Sequence, residues 1–226
     1  MPGTYRKGPD YADYHHRLAG NLNNITNLTN AISSTDAILM IERALHHELI
    51  AIHLNPENRQ YQRFASIQYA NLAGQREKQN EYTQAADALA LAIKHRQFVI
   101  EHGGSRYDDR HQLGHDWLAL GSNLAYANRD DEAENAYRTS TEQFRELVEQ
   151  FGRKPHDLCM LADALNKLSV VMEKRDDLDR ARLYLQQAIA SEEDALRSEP
   201  SNANHRKTLA EYQARFITLN QSLDTP

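Results

Sequence analysis

Helix-breaking residues recur along the chain at a fixed interval of 48 residues, and this repeat limits the fold more than any other feature. Gly or Pro stands at Pro56, Gly104, Gly152 and Pro200, each 48 residues after the one before. A period of roughly 20 to 50 residues is typical of arrays in which each repeat is one supersecondary unit. Small and large apolar positions keep the same interval: Ala37, Ala85, Ala133 and Ala181; Ala44, Ala92, Ser140 and Ala188; Leu72, Leu120, Leu168 and Phe216.

Each repeat has the pattern of two helices joined by a polar turn. In the third repeat, apolar residues spaced three and four apart predict a helix over 106–127: Leu113, Trp117, Leu120 and Leu124. A turn follows at 128–131, where the Asp130 carboxylate is expected to cap the next helix. That second helix is predicted to run to about Phe151 and to end at Gly152, since glycine accepts positive φ. No segment shows the sustained period-two alternation of a β-strand.

Composition and charge exclude several classes of protein. The chain carries 26 Lys and Arg against 32 Asp and Glu, a formal net charge of −6. Non-specific nucleic-acid binders neutralise phosphates with basic side chains, so no nucleic-acid partner is expected. No stretch approaches the roughly 18 apolar residues of a membrane span, and no leader pattern opens the chain, so the default compartment is the cytoplasm. An array excised from a membrane-anchored protein would be the exception.

The two-helix pattern resembles the tetratricopeptide repeat (TPR) family. Trp117-x2-Leu120-Gly121 begins its first-helix motif, and Ala133-x3-Tyr137 begins the second. A TPR unit has about 34 residues, so this chain looks like a long-period variant. It is similar to arrays that some bacteria append to serine/threonine kinases. The resemblance implies an all-α, right-handed superhelical α-α solenoid, with about nine helices in four hairpins plus a C-terminal capping helix. The expected boundaries are a tail at 1–9, one domain at 10–223, repeats at about 10–56, 57–104, 105–152 and 153–200, and a capping helix at 202–223.

In TPR proteins the first helix of each pair lines a concave groove, and the resemblance implies a peptide-binding site there. An asparagine amide suits such a site, because it can both donate to and accept from a peptide bond. The expected groove residues are Asn23, Asn27, Asn30, His115, Ser122, Tyr126, Asn166 and Lys174, with Ile67, Ala70, Gly74, Glu77 and Lys78 at the matching positions of the second repeat and Asp163, Val170 and Glu173 in the fourth.

Catalytic signatures are missing from the sequence. It contains no glycine-rich phosphate loop, no nucleophile elbow and no kinase motif. A helix beginning His47-Glu48 resembles the start of a zinc-protease motif, but the second histidine is replaced by Ala51. We therefore expect no catalytic residue and no cofactor.

Histidine and cysteine provide the remaining candidates for chemistry. His111 and His115 lie four residues apart and so share a helix face, which is a metal-ligand spacing, but no third ligand is fixed by the sequence. The adjacent pairs His15–His16 and His46–His47 are expected at the surface. The single cysteine, Cys159, rules out an internal disulfide and is expected to be a small buried apolar residue.

Three functional hypotheses follow. The leading one is a non-enzymatic scaffold for a protein or peptide partner. The first alternative is a regulatory or sensor region of a larger bacterial serine/threonine kinase or related signalling protein. The second alternative is a metal-dependent enzyme built on the histidines. Apolar residues in the last helix also raise the prospect of a homo-oligomer formed through the terminal helices: Leu209, Phe216, Ile217, Leu219 and Leu223.

Overall fold

All regular structure in the described residues is α-helical. The computed structural model describes residues 9–28, 33–103 and 106–223. Within those ranges it contains nine helices and no strand, so the all-α prediction is confirmed. The helices are α1 (Pro9–Leu28), α2 (Ser34–Leu54), α3 (Arg59–Lys78), α4 (Tyr82–Gly103), α5 (Tyr107–Tyr126), α6 (Asp130–Phe151), α7 (Pro155–Lys174), α8 (Leu178–Ser198) and α9 (Ala203–Leu223).

The helices form two compact units, and the division lies in α5 between Asp109 and Arg110. In the first unit α1 packs on α2, α2 on α3, and α3 on α4. In the second unit α6 packs on α7, α7 on α8, and α8 on α9. The Ser140 hydroxyl of α6 donates to the Gly114 carbonyl of α5 at 2.8 Å. Each unit is therefore built from helical hairpins, because one hairpin alone cannot bury its apolar face.

Three hairpin turns share one backbone geometry. Asn80, Asn128 and Asp176 stand 48 residues apart and have φ values of 60°, 59° and 59°. Asn and Asp tolerate this left-handed region better than other residues with a side chain. In each turn the next residue donates its N–H to a carbonyl five residues earlier, which satisfies an otherwise unpaired helix-end carbonyl. The bonds run from Glu81 to Arg76 at 3.0 Å, from Arg129 to Leu124 at 2.9 Å, and from Asp177 to Met172 at 3.0 Å.

Several helix starts carry a side-chain cap, whereas α6 and α7 follow Arg129 and Lys154, which make none. Asn58 accepts from the Gln60 N–H at 2.9 Å, and Asp177 caps α8 by accepting from the Arg180 N–H at 3.2 Å. The predicted cap by Asp130 is wrong. Asp130 is the first residue of α6, the cap position belongs to Arg129, and Arg129 makes no side-chain capping bond.

Close helix packing depends on the predicted alanine columns. Ala85, Ala133 and Ala181 are completely buried, and Ala37 is 6% exposed. The residues of the second column are also completely buried: Ala44, Ala92, Ser140 and Ala188. Since an alanine methyl is the smallest side chain that still excludes water, these positions let neighbouring helices approach.

Glycine is found where the side chain that packs against this position is aromatic. A Cβ atom built on Gly121 would lie 2.5 Å from Cδ1 of Tyr137, and one built on Gly114 would lie 3.0 Å from the Phe144 ring. Both glycines are buried. One repeat earlier and one repeat later, the buried residues that replace Gly121 and Tyr137 are Ala73 with Leu89 and Ser169 with Leu185. The largest of the three facing side chains, Tyr137, therefore packs against the residue that has no side chain, Gly121.

Candidate peptide-binding surface

One face of α7 is accessible, and the predicted groove positions lie on it. Asp163, Asn166 and Glu173 are half-buried, while Val170 and Lys174 are exposed. Residues on the other faces of the helix are buried: Leu158, Leu161, Leu165, Leu168, Val171 and Met172. The positions that the TPR resemblance implies therefore lie on the solvent-facing side of α7.

The corresponding face of α3 is accessible as well. Ile67 is 42% exposed, although isoleucine is among the residues most often buried. Ala70 and Gly74 are half-buried, and Glu77 and Lys78 are exposed. An apolar side chain thus stands beside polar ones on the outer side of this helix.

A cleft of about 230 Å³ opens in the first unit against this face of α3. Gly74 lies in its wall, and a Cβ atom built there would meet no atom within 4 Å. The lining residues are Asn23, Ile41, Ala70, Asn71, Gly74, Gln75 and Lys78. Four of them were expected from the sequence to line a groove, namely Asn23, Ala70, Gly74 and Lys78.

The polar lining of this cleft consists mainly of amides. The Asn23 Oδ1 atom accepts a hydrogen bond from Nε2 of Gln68 at 2.9 Å. Gln68 is fully buried, so this bond fixes the Asn23 side chain at the cleft wall. Asn71 and Gln75 add two more amides, and Lys78 adds a cation. The cleft therefore offers hydrogen-bond donors and acceptors of the kind that pair with a peptide backbone.

In the second unit, two predicted groove residues are engaged by the protein itself. The Asn166 side chain accepts from the guanidinium of Arg215 in α9, which also contacts Glu173. The Lys174 ammonium lies 3.1 Å from Oδ1 of Asp130. These partners come from neighbouring helices, which the sequence pattern alone does not specify.

The remaining predicted residues of the second unit lie on α5. His115 and Tyr126 are exposed, and Tyr126 keeps 62% of its surface in water. Ser122 is half-buried and donates to the Leu118 carbonyl at 3.2 Å. Burial raises the pKa of Asp163 on α7, and the charges of Lys167 and His115 act in the opposite direction.

Two of the three asparagines predicted to line the groove in the first repeat lie partly or wholly outside the described residues. The backbone of Asn27 belongs to α1, but its side chain and the whole of Asn30 lie outside the described residues. Of the three asparagines predicted in the first repeat, only Asn23 is seen to line the cleft.

A second set of polar residues lies where three successive helices meet, and the sequence analysis missed it. We call these four places the helix junctions. Each joins a first helix, the second helix of the same hairpin, and the first helix of the next. The four sets consist of corresponding residues 48 apart: His15, Glu48 and Tyr61; Arg63, Arg96 and Asp109; His111, Phe144 and Asp157; and Cys159, Glu192 and His205. In the first set, Glu48 and Tyr61 are contacted by His16, the neighbour of His15. Most of these residues are buried, although six are ordinarily charged types.

The second and third junctions are closed by hydrogen-bonded pairs. In the second, the Arg63 guanidinium donates to both oxygens of Asp109, at 3.0 and 2.7 Å. In the third, Nδ1 of His111 lies 2.8 Å from Oδ1 of Asp157, and the imidazole packs edge-on against Phe144. Each of these pairs gives a buried carboxylate a hydrogen-bond partner, without which its burial would be costly.

These pairs bear on the predicted histidine metal spacing. His111 is directed to Asp157, while His115 is exposed and Asp109 is held by Arg63. Within the described ranges, neither histidine belongs to a group of three potential metal ligands. The two residues share a helix face, but they do not converge with a third ligand.

The expectation that the adjacent histidines lie at the surface or rim is wrong for His15 and agrees with the exposed position of His46. His15 is 6% exposed, and its Nδ1 atom lies 2.9 Å from Nδ1 of His47. Nδ1 of His16 lies 2.9 Å from both oxygens of Glu48, whose side chain is completely buried. Burial raises the pKa of Glu48, an effect opposed by His16. These histidines are structural partners of α2 and not free surface groups.

The fourth junction differs in chemistry from the others. Nδ1 of His205 lies 2.7 Å from Oε1 of Glu192, and both residues are buried. The half-buried thiol of Cys159 faces them, with the potential ligand atoms of all three within 4.8 Å of one another. Burial, together with the charge of Glu192, raises the pKa of Cys159 to about 12. Cys159 is therefore not the isolated apolar residue expected from the sequence.

The imidazole of His95 is a further half-buried group in the first unit. Its Nδ1 atom lies 2.6 Å from Oε1 of Gln62, and the ring stacks on Tyr69 with centroids 5.5 Å apart. Burial, assisted by the charge of Lys94, lowers the pKa of His95 from 6.5 to about 4. The folded first unit therefore holds His95 neutral at pH values where an unfolded chain protonates it.

We expect this histidine to make the first unit less stable in mild acid. A depressed folded-state pKa gives stability that is present above pH 6.5 and lost as the pH falls toward about 4. The shift sets an upper limit of roughly 3 kcal/mol, and solvent access to the ring reduces the expected loss between pH 7 and pH 5 to about 1 kcal/mol. Urea unfolding followed by circular dichroism measures it.

The matched variants are His95→Gln and, as a control, His53→Gln on the exposed surface of α2. The first should remove the additional loss at pH 5, and the second should keep it. Equal pH dependence of the wild type and His95→Gln would refute the assignment.

No helix in the described part of the chain is long and apolar enough to cross a membrane.

Comparison with known proteins finds solved structures of low sequence identity, with TM-scores below 0.5. No protein-family model matches the chain, and no curated protein matches it either. Solved structures that resemble it include BtubC (BKLC) from P. vanneervenii, with 13% identity over 96% of this chain and 92% of that one and a TM-score of 0.47. MamA residues 41 to the end from Desulfovibrio magneticus RS-1 has 11% identity over 96% and 98% of the two chains, with a TM-score of 0.41. YrrB, described as a TPR protein with an unusual peptide-binding site, has 17% identity over 87% and 94%, with a TM-score of 0.29.

Proposed function

We propose that this protein is a non-enzymatic scaffold whose first unit binds an extended peptide in the cleft beside α3. The observation that carries the proposal is the combination of open space at Gly74 with an amide-rich wall. An extended peptide presents unpaired N–H and C=O groups, and each must find a partner when it leaves water. Asn23, Asn71 and Gln75 provide such partners.

The apolar and charged residues beside the amides favour a peptide with mixed side chains. Ile67 offers exposed apolar surface on the same face of α3. Lys78 adds a positive charge at the cleft, so an acidic side chain on the peptide is favoured there. Recognition of this type gets affinity from the backbone bonds and selectivity from the neighbouring side chains.

Filling the cleft tests the proposal. Gly74→Leu places a side chain into open space, and leucine forms helix more readily than glycine, so the variant should fold. A peptide library displayed on phage is selected on the full chain, and the selected peptides are labelled for fluorescence anisotropy. We expect Gly74→Leu to raise their Kd at least about tenfold, which is roughly 1.4 kcal/mol of binding free energy.

The chain provides a closely matched control. Gly20 is also a helical glycine whose added Cβ atom would meet nothing within 4 Å, and it does not line the cleft. Gly20→Leu should therefore bind the selected peptides as the wild type does. Selected peptides that bind Gly74→Leu with unchanged affinity would place the site elsewhere, and a selection that yields no specific peptide would defeat the scaffold proposal.

A further inference from the structure

The fourth helix junction leaves one carboxylate oxygen without a partner. Glu192 is completely buried, and its Oε1 atom is bonded to His205. The Oε2 atom is buried and has no hydrogen-bond partner. Glu48, the corresponding residue of the first junction three repeats earlier in the sequence, directs both of its oxygens to His16. An unpaired buried carboxylate oxygen is costly, and the Cys159 thiol, which interacts with Glu192, is only a weak hydrogen-bond donor.

The atoms around that oxygen form a ligand set for a metal. A cysteine sulfur, an imidazole nitrogen and a carboxylate oxygen lie within 4.8 Å of one another, from Cys159, His205 and Glu192. In a tetrahedral zinc site, with bonds of roughly 2.0 to 2.3 Å, neighbouring ligand atoms are about 3.3 to 3.8 Å apart. Side-chain movements of about 1 Å would bring the three ligand atoms into that range.

The surroundings of His205 match the outer shell of a metal site. Nδ1 faces Glu192, and the opposite nitrogen, Nε2, lies 3.4 Å from Oε2 of Glu199. The Asn202 amide holds Glu199 in turn, donating to that oxygen at 2.8 Å. Metal-bound histidines commonly have their second nitrogen oriented by a carboxylate in this way, and such partners contribute to metal affinity.

From these observations we infer that Cys159, Glu192 and His205 form a binding site for one zinc-like divalent cation in the second unit. Binding replaces the thiol proton of Cys159 by the metal: the S–H bond breaks, the proton leaves to solvent, and the thiolate sulfur bonds to the cation. The Nδ1 proton that His205 donates to Oε1 of Glu192 also leaves to solvent, while Nε2 takes up a proton from solvent and faces Glu199 as N–H, so that the Nδ1 lone pair bonds to the cation. The Oε2 atom of Glu192 gains the partner that it lacks. Three protein ligands leave a fourth tetrahedral position for water or a small molecule, since Cys159 is only half-buried.

The site joins three helices that follow one another in the chain. Cys159 lies in α7, Glu192 in α8 and His205 in α9. A cation held by all three binds the folded second unit and not the unfolded one, so it should raise the melting temperature of that unit. This readout is independent of peptide binding in the first unit, so the metal site and the proposed function can fail separately.

The test is titration of the full, metal-stripped protein with zinc and, in parallel, with cobalt(II). We expect one zinc per chain, a higher melting temperature, and a thiolate-to-cobalt charge-transfer absorption. Cys159→Ser should abolish that absorption and weaken zinc binding at least about 100-fold, because loss of an outer-shell partner already costs roughly 10- to 100-fold. Glu199→Gln should fall in that lower range.

Two further variants make the result decisive. His205→Gln should also lose the stoichiometric zinc, which keeps the test valid if one ligand variant fails to fold. His115→Ala removes the exposed histidine of the pair with metal-ligand spacing and should bind zinc as the wild type does. The inference is overturned if the wild type binds no stoichiometric zinc, or if Cys159→Ser and His205→Gln bind it unchanged.

Discussion

Phe144→Ala is expected to lower the free energy of unfolding of the second unit by about 4 kcal/mol. The Phe144 side chain has no exposed surface, and it is the largest of the completely buried side chains. It fills the third junction, where its ring meets His111 at a centroid distance of 5.6 Å and covers Gly114. Because Gly114 has no side chain that could move into the space, the surroundings cannot collapse far, and the cavity should remain.

The single tryptophan gives this prediction a local reporter. Trp117 lies in the part of α5 that belongs to the second unit, so its fluorescence follows the unfolding of that unit in urea. Leu183→Ala is the control, because Leu183 of α8 is 50% exposed and its truncation should cost less than about 1 kcal/mol. A loss at Phe144 no greater than that at Leu183 would contradict the packing described for this junction.

Gly121→Ala is the second large effect that we expect, a loss of about 2 kcal/mol from a single added methyl group. In most helices the same change stabilises by roughly 0.5 to 1 kcal/mol, since alanine restricts the unfolded chain. Here the methyl would lie 2.5 Å from the Tyr137 ring, and the repulsion outweighs that gain. A loss of stability in place of the usual gain would therefore show that the added methyl group meets the Tyr137 ring.

A compensating change separates crowding from any other cause. Tyr137→Leu in the Gly121→Ala background recreates the alanine–leucine pair that Ala73 and Leu89 form one repeat earlier. The double variant should recover most of the lost stability in the same urea experiment, and the coupling between the two changes should exceed 1 kcal/mol. Additive losses from the two single changes would mean that the ring does not cause the destabilisation.

The helical hairpins could be predicted from the sequence because their signals are local and repeated. The third repeat predicted a helix over 106–127, and α5 spans Tyr107–Tyr126. Gly152 was expected to end a helix through positive φ, and its φ is 88°. Each of these positions depends on residues within a few turns, so periodicity and turn chemistry are enough to identify them.

The helix junctions could not be predicted in that way. Arg63 and Asp109 are 46 residues apart and belong to different hairpins, so no local pattern links them. The residue type also changes from one junction to the next, with Arg63, His111 and Cys159 at corresponding positions. A signal was present nonetheless: the column Asp13, Tyr61, Asp109, Asp157 and His205 is polar throughout at the 48-residue interval. A polar column in an amphipathic array indicates buried pairing when its neighbours are apolar.

The residues of the candidate cleft came from the TPR resemblance and not from a local pattern. That resemblance implies an accessible face on α3, which carries Gly74 and Lys78. It could not show that Arg215 of α9 is hydrogen-bonded to Asn166, because that contact depends on where a later helix packs. Whether these positions bind a peptide stays a prediction.

The fit of Gly121 against Tyr137 also restricts the order in which such repeats can diverge. A lineage that begins with alanine and leucine at these two positions can reach glycine and tyrosine by either of two single steps. Acquiring glycine first leaves only a small void and a slightly weaker helix, a cost of about 1 kcal/mol. Acquiring tyrosine first drives a ring into a methyl group. In a marginally stable domain, natural selection would therefore tolerate the first order of substitution and remove the second. The change from alanine to glycine would come before the change from leucine to tyrosine.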